Sequence, residues 1–254
     1  MTTTVAAIAA LWFTSQSLRA TDNQYALSQQ VAVTNRFQTA IEQLTSDKVD
    51  IRLGGIYLLE RLAKDSPADH ETVFTVLSAF LRTHTTASAC EPPTRTAPAP
   101  VDAYAVVKVI GRRDNARPLD LAGTCLAGMR FFQPARYDAR DRPRYANLTG
   151  SSFDSANLAD TIFYFANLTD AYFGDANLTG AGFSYANLTG AYLVNANLTE
   201  AILQGANFTD ANLDGANLTG AYLAGANFTN IFYSDTTRWP GGFTPPKSRP
   251  NPLL

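Results

Sequence analysis

The sequence feature that most constrains this chain is a five-residue period that runs from Ala146 to Asn230. Seventeen consecutive units fill this stretch, and the third residue of every unit is Leu or Phe. The first residue is Ala in fifteen of the units, and the two exceptions are Ser151 and Thr161. Self-similarity at a fixed period predicts a repeat architecture in which each unit packs on its neighbours.

A period of five residues excludes both ordinary secondary structures. On an α-helix, residues five apart are rotated by roughly 140°, so the leucines would scatter around the cylinder. On a flat strand, an odd period sends successive leucines to opposite faces. A short extended piece followed by a two-residue corner avoids both problems, and turn residues such as Thr149-Gly150 and Asp214-Gly215 occupy the corners. If each corner turns the chain by roughly a right angle, four units close one coil, and successive coils stack at about 4.8 Å.

Units such as Ala-Asn-Leu-Thr-Gly at 186–190 resemble the pentapeptide-repeat family. The resemblance implies a mainly β fold, a right-handed quadrilateral β-helix whose interior holds Leu or Phe and Ala. Leu121, Leu126 and Phe131 continue the pattern upstream and predict an opening coil. At the other end, the segment 239–243 (Trp-Pro-Gly-Gly-Phe) resembles the usual closing segment, whose rings would shield the edge of the last coil.

The remaining sequence predicts an α-helical region ahead of the coil. Apolar residues recur at helical spacing from Val49 to Leu62 and again from Val73 to Leu81. We therefore expect the following organisation: an N-terminal helix at 1–46, a small α-helical domain at 47–112 with a Pro-rich linker at 83–100, the β-helix at 113–243 with a loop at 134–145, and a disordered tail at 244–254.

The N-terminus leaves two interpretations open. Val5 to Phe13 is apolar but spans nine residues, fewer than the roughly 20 that a membrane-spanning helix needs, and it lacks the flanks of a signal peptide. The chain resembles actinobacterial-type pentapeptide proteins in which a similar helical region follows membrane-spanning helices. The resemblance implies a bacterial protein on the cytoplasmic side that begins inside its last spanning helix, whereas the alternative is a soluble helix with an apolar end. Cys90 and Cys125 form no disulfide framework, which fits a reducing compartment.

Several motifs do not predict chemistry. His70 and His84 have no Cys or paired carboxylate at ligand spacing, so we expect no metal site and no cofactor. The Arg cluster at 136–144 could contact phosphates, but interspersed Asp residues favour a solvated loop or one docked on the acidic coil. An interior filled by Ala, Leu and Phe leaves no cavity of ligand size, and no nucleophile–base pair is visible. The sequence therefore predicts that the coil is not an enzyme.

A coil of four units sorts the outward residues into faces. Two opposite faces carry stacked Asn residues, which we expect to hydrogen bond as ladders. A third, candidate acidic face consists of Asp154, Tyr172, Asp175, Tyr192 and Asp214. The fourth has no charge and large apolar residues, which mark an interface. This candidate interaction face consists of Ile162, Tyr164, Phe165, Tyr185, Ile202 and Tyr222.

Two functions remain open at this point. The first is a scaffold that binds a partner protein or itself, with the helical region covering the early residues of the candidate interaction face and a partner meeting the later ones. The second follows from resemblance to quinolone-resistance pentapeptide proteins, which bind DNA gyrase in place of DNA. Residues 146–230 contain seven acids and no Lys or Arg, as such a DNA mimic would. Direct binding of nucleic acid by the coil is not expected.

Overall fold

The computed structural model describes residues 24, 27–87, 90, 99–113, 117–131 and 145–250. The chain divides into two compact units between residue 69 and residue 70. The apolar stretch 5–13, the Arg cluster at 136–144 and almost all of the predicted loop at 134–145 lie outside the described residues. Within the described segments, we find no helix with the length and hydropathy needed to cross a bilayer.

The first unit contains two helices among its described residues. Helix α1 covers 27–44, and helix α2 is Val49–Asp65. Helix α2 buries Ile56, Leu59 and Leu62, which confirms the helical spacing seen in the sequence. The two helices come close at Gly55, where a Cβ atom would lie 2.7 Å from the main-chain oxygen of Ala40. Glycine at this position therefore permits the close packing of α1 on α2.

The second unit opens with helix α3 (His70–His84) and helix α4 (Val101–Gly111). Helix α4 is buried on most sides because nearly all of its residues are apolar. A Cβ atom at Gly111 would lie 2.9 Å from the main-chain oxygen of Phe131, so the end of α4 lies against the first coil. Because α3 and α4 belong to the same compact unit as the coil, the observed boundary differs from the predicted helical domain at 47–112.

The coil consists of stacked turns joined by four ladders of parallel bridges. Each ladder is represented by one bridge here: Asn147 with Asn167, Ser152 with Tyr172, Asn157 with Asn177, and Ile162 with Gly182. Every one of these pairs is offset by twenty residues, as the five-residue period predicts. The offset changes at the two ends of the coil, since Asn217 pairs with Arg238 at an offset of 21 and Asp120 in the first coil pairs with Ser152 at an offset of 32. Twelve additional residues therefore enter between the first and second coils, which matches the length of the predicted loop.

The interior of the coil holds the predicted residues. Between Ala146 and Ala221, every first and third residue of a unit is buried, and Leu121, Leu126 and Phe131 are buried in the opening coil. Phenylalanine rings stack from coil to coil, with 5.1 Å between the ring centroids of Phe153 and Phe173. The two polar exceptions are satisfied, since Ser151 Oγ accepts a hydrogen bond from the amide of Leu119 and Thr161 Oγ1 donates to the Leu126 carbonyl.

The C-terminal end of the coil is closed by aromatic residues. The rings of Trp239 and Phe243 lie 5.5 and 5.7 Å from the ring of Phe228, which confirms the predicted closing segment. The following residues differ from the expected disorder. The amide of Arg249 donates to the Ile231 carbonyl at 2.9 Å, and the Tyr233 hydroxyl donates to the Pro246 carbonyl at 2.9 Å. These bonds satisfy polar groups at the edge of the last coil.

Candidate interaction surfaces of the coil

The fifth residue of each unit occupies a corner in the left-handed region of backbone conformation. In the described part of the chain, every non-glycine residue with positive φ is found at one of these corners, with φ between 54° and 60°. Glycine, Asp and Asn tolerate this conformation best. Five of the seven acids of the coil occupy such corners: Asp160, Asp170, Asp175, Glu200 and Asp210. The local backbone therefore accounts for most of the acidic residues that the sequence singled out.

Two corners instead carry large aromatic residues. Phe165 has a φ of 60° and Tyr185 a φ of 58°. Their rings stack with 5.2 Å between centroids, and the ring of Tyr145 stacks on Phe165 at 4.8 Å. We call Tyr145, Phe165 and Tyr185 the aromatic corner. The next position in this column is Gly205, where a Cβ atom would lie 2.6 Å from Tyr185 Cδ1, so the tyrosine ring covers that glycine.

The structure places the rest of the candidate interaction face beside the aromatic corner. Bridges join Ile162 to Gly182, Gly182 to Ile202, and Ile202 to Tyr222, so these residues form one column. Tyr164 lies over Gly182, where the missing side chain leaves room for its ring. Tyr222 is 59% exposed and Tyr185 is 54% exposed, whereas Ile162 and Tyr164 are half-buried.

Sequence reasoning missed one member of this column. Arg130 pairs with Ile162 and is exposed, so a positive charge stands at the start of the otherwise uncharged face. Extending the five-residue period upstream from Phe131 would have identified this residue as an outward position. Phe165 is 38% exposed, and coverage of the early residues of this face by the helical region stays a prediction. The end of α4 lies against the first coil at Phe131, next to Arg130, and α3 contacts the same coil through Arg82 and Asp120.

The candidate acidic face is built around two stacked tyrosines. The rings of Tyr172 and Tyr192 lie 5.0 Å apart, and the ladder to which they belong lies on the side opposite Ile202. The carboxylate of Asp154 accepts a hydrogen bond of 2.7 Å from the amide of Gly174. The carboxylate of Asp175 accepts one of 3.2 Å from the side chain of Asn195. These carboxylates therefore hold neighbouring coils together.

The Asn columns form ladders, but threonine is part of them. Thr189 Oγ1 donates to Asn187 Oδ1 at 2.6 Å, and Asn207 Nδ2 donates to the same hydroxyl at 2.9 Å. Direct Asn–Asn bonds also occur, for example from Asn177 to Asn157 at 3.1 Å. Sequence reasoning predicted the ladders but missed the threonines, although the recurring Asn-X-Thr spacing was the signal for them.

The sequence predicts no disulfide framework, and this prediction is wrong for the two cysteines. Cys90 and Cys125 form a disulfide, with 5.4 Å between their Cα atoms. Residues 85–87 run antiparallel to the first coil, with a bridge from Thr86 to Thr124. This pairing brings Cys90 beside Cys125. Among the described residues, no group of His, Cys, Asp and Glu side chains could hold a metal ion.

The stacked coils, the inward Leu and Phe residues and the parallel ladders define a β-helical repeat protein. The family model for pentapeptide repeats matches eight copies, in residues 144–175, 163–193 and 191–230. The chain belongs to the pentapeptide-repeat family, and the coil is a right-handed β-helix preceded by an α-helical region.

Solved structures of the same family are similar to this chain. The pentapeptide repeat protein Rfr23 from the cyanobacterium Cyanothece 51142 is 32% identical over 47% of this chain and 87% of its own, with a TM-score of 0.44. The protein alr5209 from Nostoc PCC 7120 is 32% identical over 37% of this chain and 77% of its own, with a TM-score of 0.36.

A trypsin-treated form of QnrB1, a plasmid-mediated fluoroquinolone resistance protein, is 26% identical over 48% of this chain and 58% of its own, with a TM-score of 0.23. A search of the curated proteins found no match.

Proposed function

We propose that this chain is a non-enzymatic scaffold whose coil binds a protein partner, or a second copy of itself, through the candidate interaction face. The observation that carries the proposal is the pair of exposed aromatic rings, Phe165 and Tyr185, in the left-handed conformation. A left-handed backbone costs a non-glycine residue roughly 1–2 kcal/mol. Apart from Ser155 and Glu200, the other corners of the coil avoid most of this cost with Gly, Asp or Asn.

Ring stacking in the folded monomer offsets a similar amount, because Phe165 stacks on both Tyr185 and Tyr145. Stacking of Phe165 on Tyr185 contributes roughly 0.5–1.5 kcal/mol. Both rings remain exposed, together with Ile202 and Tyr222 on the adjoining ladder. A contiguous exposed apolar surface marks an interaction site, because a partner that covers it removes the apolar area from water. The strained aromatic corner thus favours binding over a purely structural role.

Sedimentation of paired variants tests this proposal. Ile202→Glu with Tyr222→Glu places two carboxylates on the candidate interaction face without touching the interior. Tyr172→Glu with Tyr192→Glu is the matched control, because those rings have similar exposure and lie on the opposite ladder. We expect both variants to melt like the parent, and only the first to lose self-association or capture of its partner from the native host. Equal behaviour of the two variants in assembly would contradict the proposal.

Finer features of the fold and location are proposed on the same basis. We propose a quadrilateral cross-section, because four ladders of bridges divide each coil into four sides.

Membrane association would depend on the apolar stretch 5–13, so removal of residues 1–45 should release a membrane-bound protein into the soluble fraction. The predicted cytoplasmic side remains a prediction, and the disulfide between Cys90 and Cys125 is typical of an oxidising compartment instead.

Binding of DNA gyrase as a DNA mimic is the second candidate function. It is favoured by the five acids around the stacked tyrosines: Asp154, Asp170, Asp175, Asp210 and Asp214. It is weakened by the corner conformations and intercoil hydrogen bonds that account for most of these acids. If mimicry operates, purified protein inhibits gyrase supercoiling, salt weakens the inhibition, and Asn at 154, 175 and 214 abolishes it. Absence of inhibition at micromolar protein would exclude it.

A further inference from the structure

A cavity of about 230 Å³ lies between helix α3 and the start of the first coil. Phe74, Pro118 and Leu119 contribute apolar surface to it, and Ser78 and Arg113 contribute polar groups. All of these residues belong to the second compact unit. The cavity is smaller than the pockets of roughly 300–1,000 Å³ that hold drug-sized molecules, so it suits a ligand of few carbon atoms.

The polar group that dominates this cavity is the guanidinium of Arg113, which is only 6% exposed. Its Nε and Nη2 atoms donate to the Asn147 carbonyl at 3.0 and 2.7 Å, and Nη1 donates to the Arg117 carbonyl at 2.6 Å. These acceptors are neutral, and within the described part of the chain no carboxylate forms an ion pair with Arg113. Burial lowers the pKa of Arg113 to about 10, which still leaves it charged at neutral pH.

A second buried group in the cavity has no partner. The hydroxyl of Ser78 is on α3, the residue is 3% exposed, and its Oγ atom has no hydrogen-bond partner among the described residues. A buried hydroxyl without a partner is costly, and native proteins contain few of them. Arg113 and Ser78, which have no counter-charge and no hydroxyl partner among the described residues, therefore line the same cavity.

The other charged residues around the cavity neutralise one another at its rim. Arg82 pairs with Asp120, and Arg117 pairs with Glu71. Each pair contributes one charge of each sign, so among the described residues that line the cavity Arg113 supplies the uncompensated positive charge. Among the described residues, two carbonyls accept three of the five N–H groups of Arg113, and one N–H on each terminal nitrogen is left over.

We propose that this cavity binds a small organic carboxylate. The two remaining N–H groups of Arg113 match the two oxygens of a carboxylate, and the Ser78 hydroxyl supplies a third donor. The apolar part of the ligand packs against Phe74 and Leu119. One negative charge balances Arg113, whereas a phosphate with two charges exceeds what the site compensates.

A purely structural role for Arg113 makes a different prediction. In that case the guanidinium only fastens the end of α4 to the Asn147 carbonyl, and Ser78 has no function. Replacement of Ser78 by Ala then removes a costly buried hydroxyl and leaves the response to anions unchanged. The two roles are therefore distinguished at Ser78, where the substitution preserves the fold.

Calorimetric titration of the full chain with benzoate tests the proposal, with the neutral isostere benzamide and inorganic phosphate as comparison probes. We expect saturable binding of benzoate and none of benzamide. Ser78→Ala should weaken benzoate binding by about tenfold or more, since it removes a hydrogen bond to a charged group. Ser184→Ala, an outward serine of the coil, is the control and should bind benzoate like the parent.

Three results would overturn the proposal. The first is absence of saturable benzoate binding by the parent, whose fold is verified by its melting curve. The second is equal benzoate affinity in Ser78→Ala and the parent, which would assign Arg113 a structural role only. The third is tighter binding of phosphate than of benzoate, which would exclude a carboxylate as the ligand class.

Discussion

The side-chain amide of Asn207 donates a hydrogen bond of 2.9 Å to the hydroxyl of Thr189 in the preceding coil. The same hydroxyl donates to Asn187 at 2.6 Å, so it connects a bond within one coil to a bond between two coils. Equivalent contacts join Asn197 to Thr179 and Asn217 to Thr199 on the opposite face. Threonine in the fourth position of a unit is therefore part of the contact between coils.

The first prediction tests this contact. Thr189→Val keeps the shape of the side chain but removes the hydroxyl, which breaks its bond to Asn187 and the bond it accepts from Asn207. We expect a loss of about 1–2 kcal/mol in the free energy of unfolding, measured by denaturant titration. Thr189→Ser retains the hydroxyl and is the control, so it should remain within about 0.5 kcal/mol of the parent. Equal losses in both variants would show that the hydroxyl does not join the coils.

A second prediction concerns the interior of the coil. Leu188 and Ala206 are both fully buried in mid-coil. Leu188→Asp introduces a buried charge without a partner, and Ala206→Phe overfills a position that holds a methyl group. Each should lower stability by roughly 3–5 kcal/mol, as measured by thermal melting followed by circular dichroism. A melting temperature near that of Thr189→Ser for either variant would contradict the observed register.

The third prediction uses the strained aromatic corner. Tyr185→Gly relieves the left-handed backbone but removes the stack on Phe165. The two effects are similar in size, so the melting temperature should stay close to that of the parent or rise. Binding through the candidate interaction face should weaken in the same variant, because an exposed anchor is lost. A large fall in melting temperature would instead assign Tyr185 a role in folding.

Reduction of the disulfide provides the fourth prediction. Cys90–Cys125 closes a loop of 35 residues, for which the chain-entropy model gives about 4 kcal/mol of stabilisation. Dithiothreitol should lower the melting temperature of the parent and speed amide exchange at Ala87 and Cys125, whose amides donate to the carbonyls of Gly123 and Thr85. The Cys90→Ser variant is the control, since dithiothreitol should not affect it. Identical melting of the parent with and without reductant would contradict this role.

Much of the coil could be predicted from the sequence. The inward residues, the offset of twenty residues and the closing rings of Trp239 and Phe243 all follow from the five-residue period and its end. Each coil contacts only the coils next to it, so the packing of one unit repeats along the chain. A pattern of local contacts is visible in the sequence because each unit needs small and large apolar side chains at the same two inward positions.

The candidate surfaces were predictable only in part. The period placed Ile202 and Tyr222 on one column, but it did not reveal that Phe165 and Tyr185 adopt the left-handed conformation. Backbone dihedrals at the corners depend on how four sides close into one turn. For this reason, the acids at 170 and 210 looked like a charged pattern in the sequence, whereas the structure identifies their positions as corners.

The sequence by itself determined the repeating part of this protein, because the side chains that fill a coil are drawn from a twenty-residue segment and its immediate neighbours. Only the tertiary structure decided the non-repeating contacts: the disulfide from Cys90 to Cys125, the docking of Arg249 on Ile231, and the cavity that brings Ser78 and Arg113 together. These residues come from segments with no shared period. Their proximity depends on the paths of the intervening chain and on the packing of α3 against the coil.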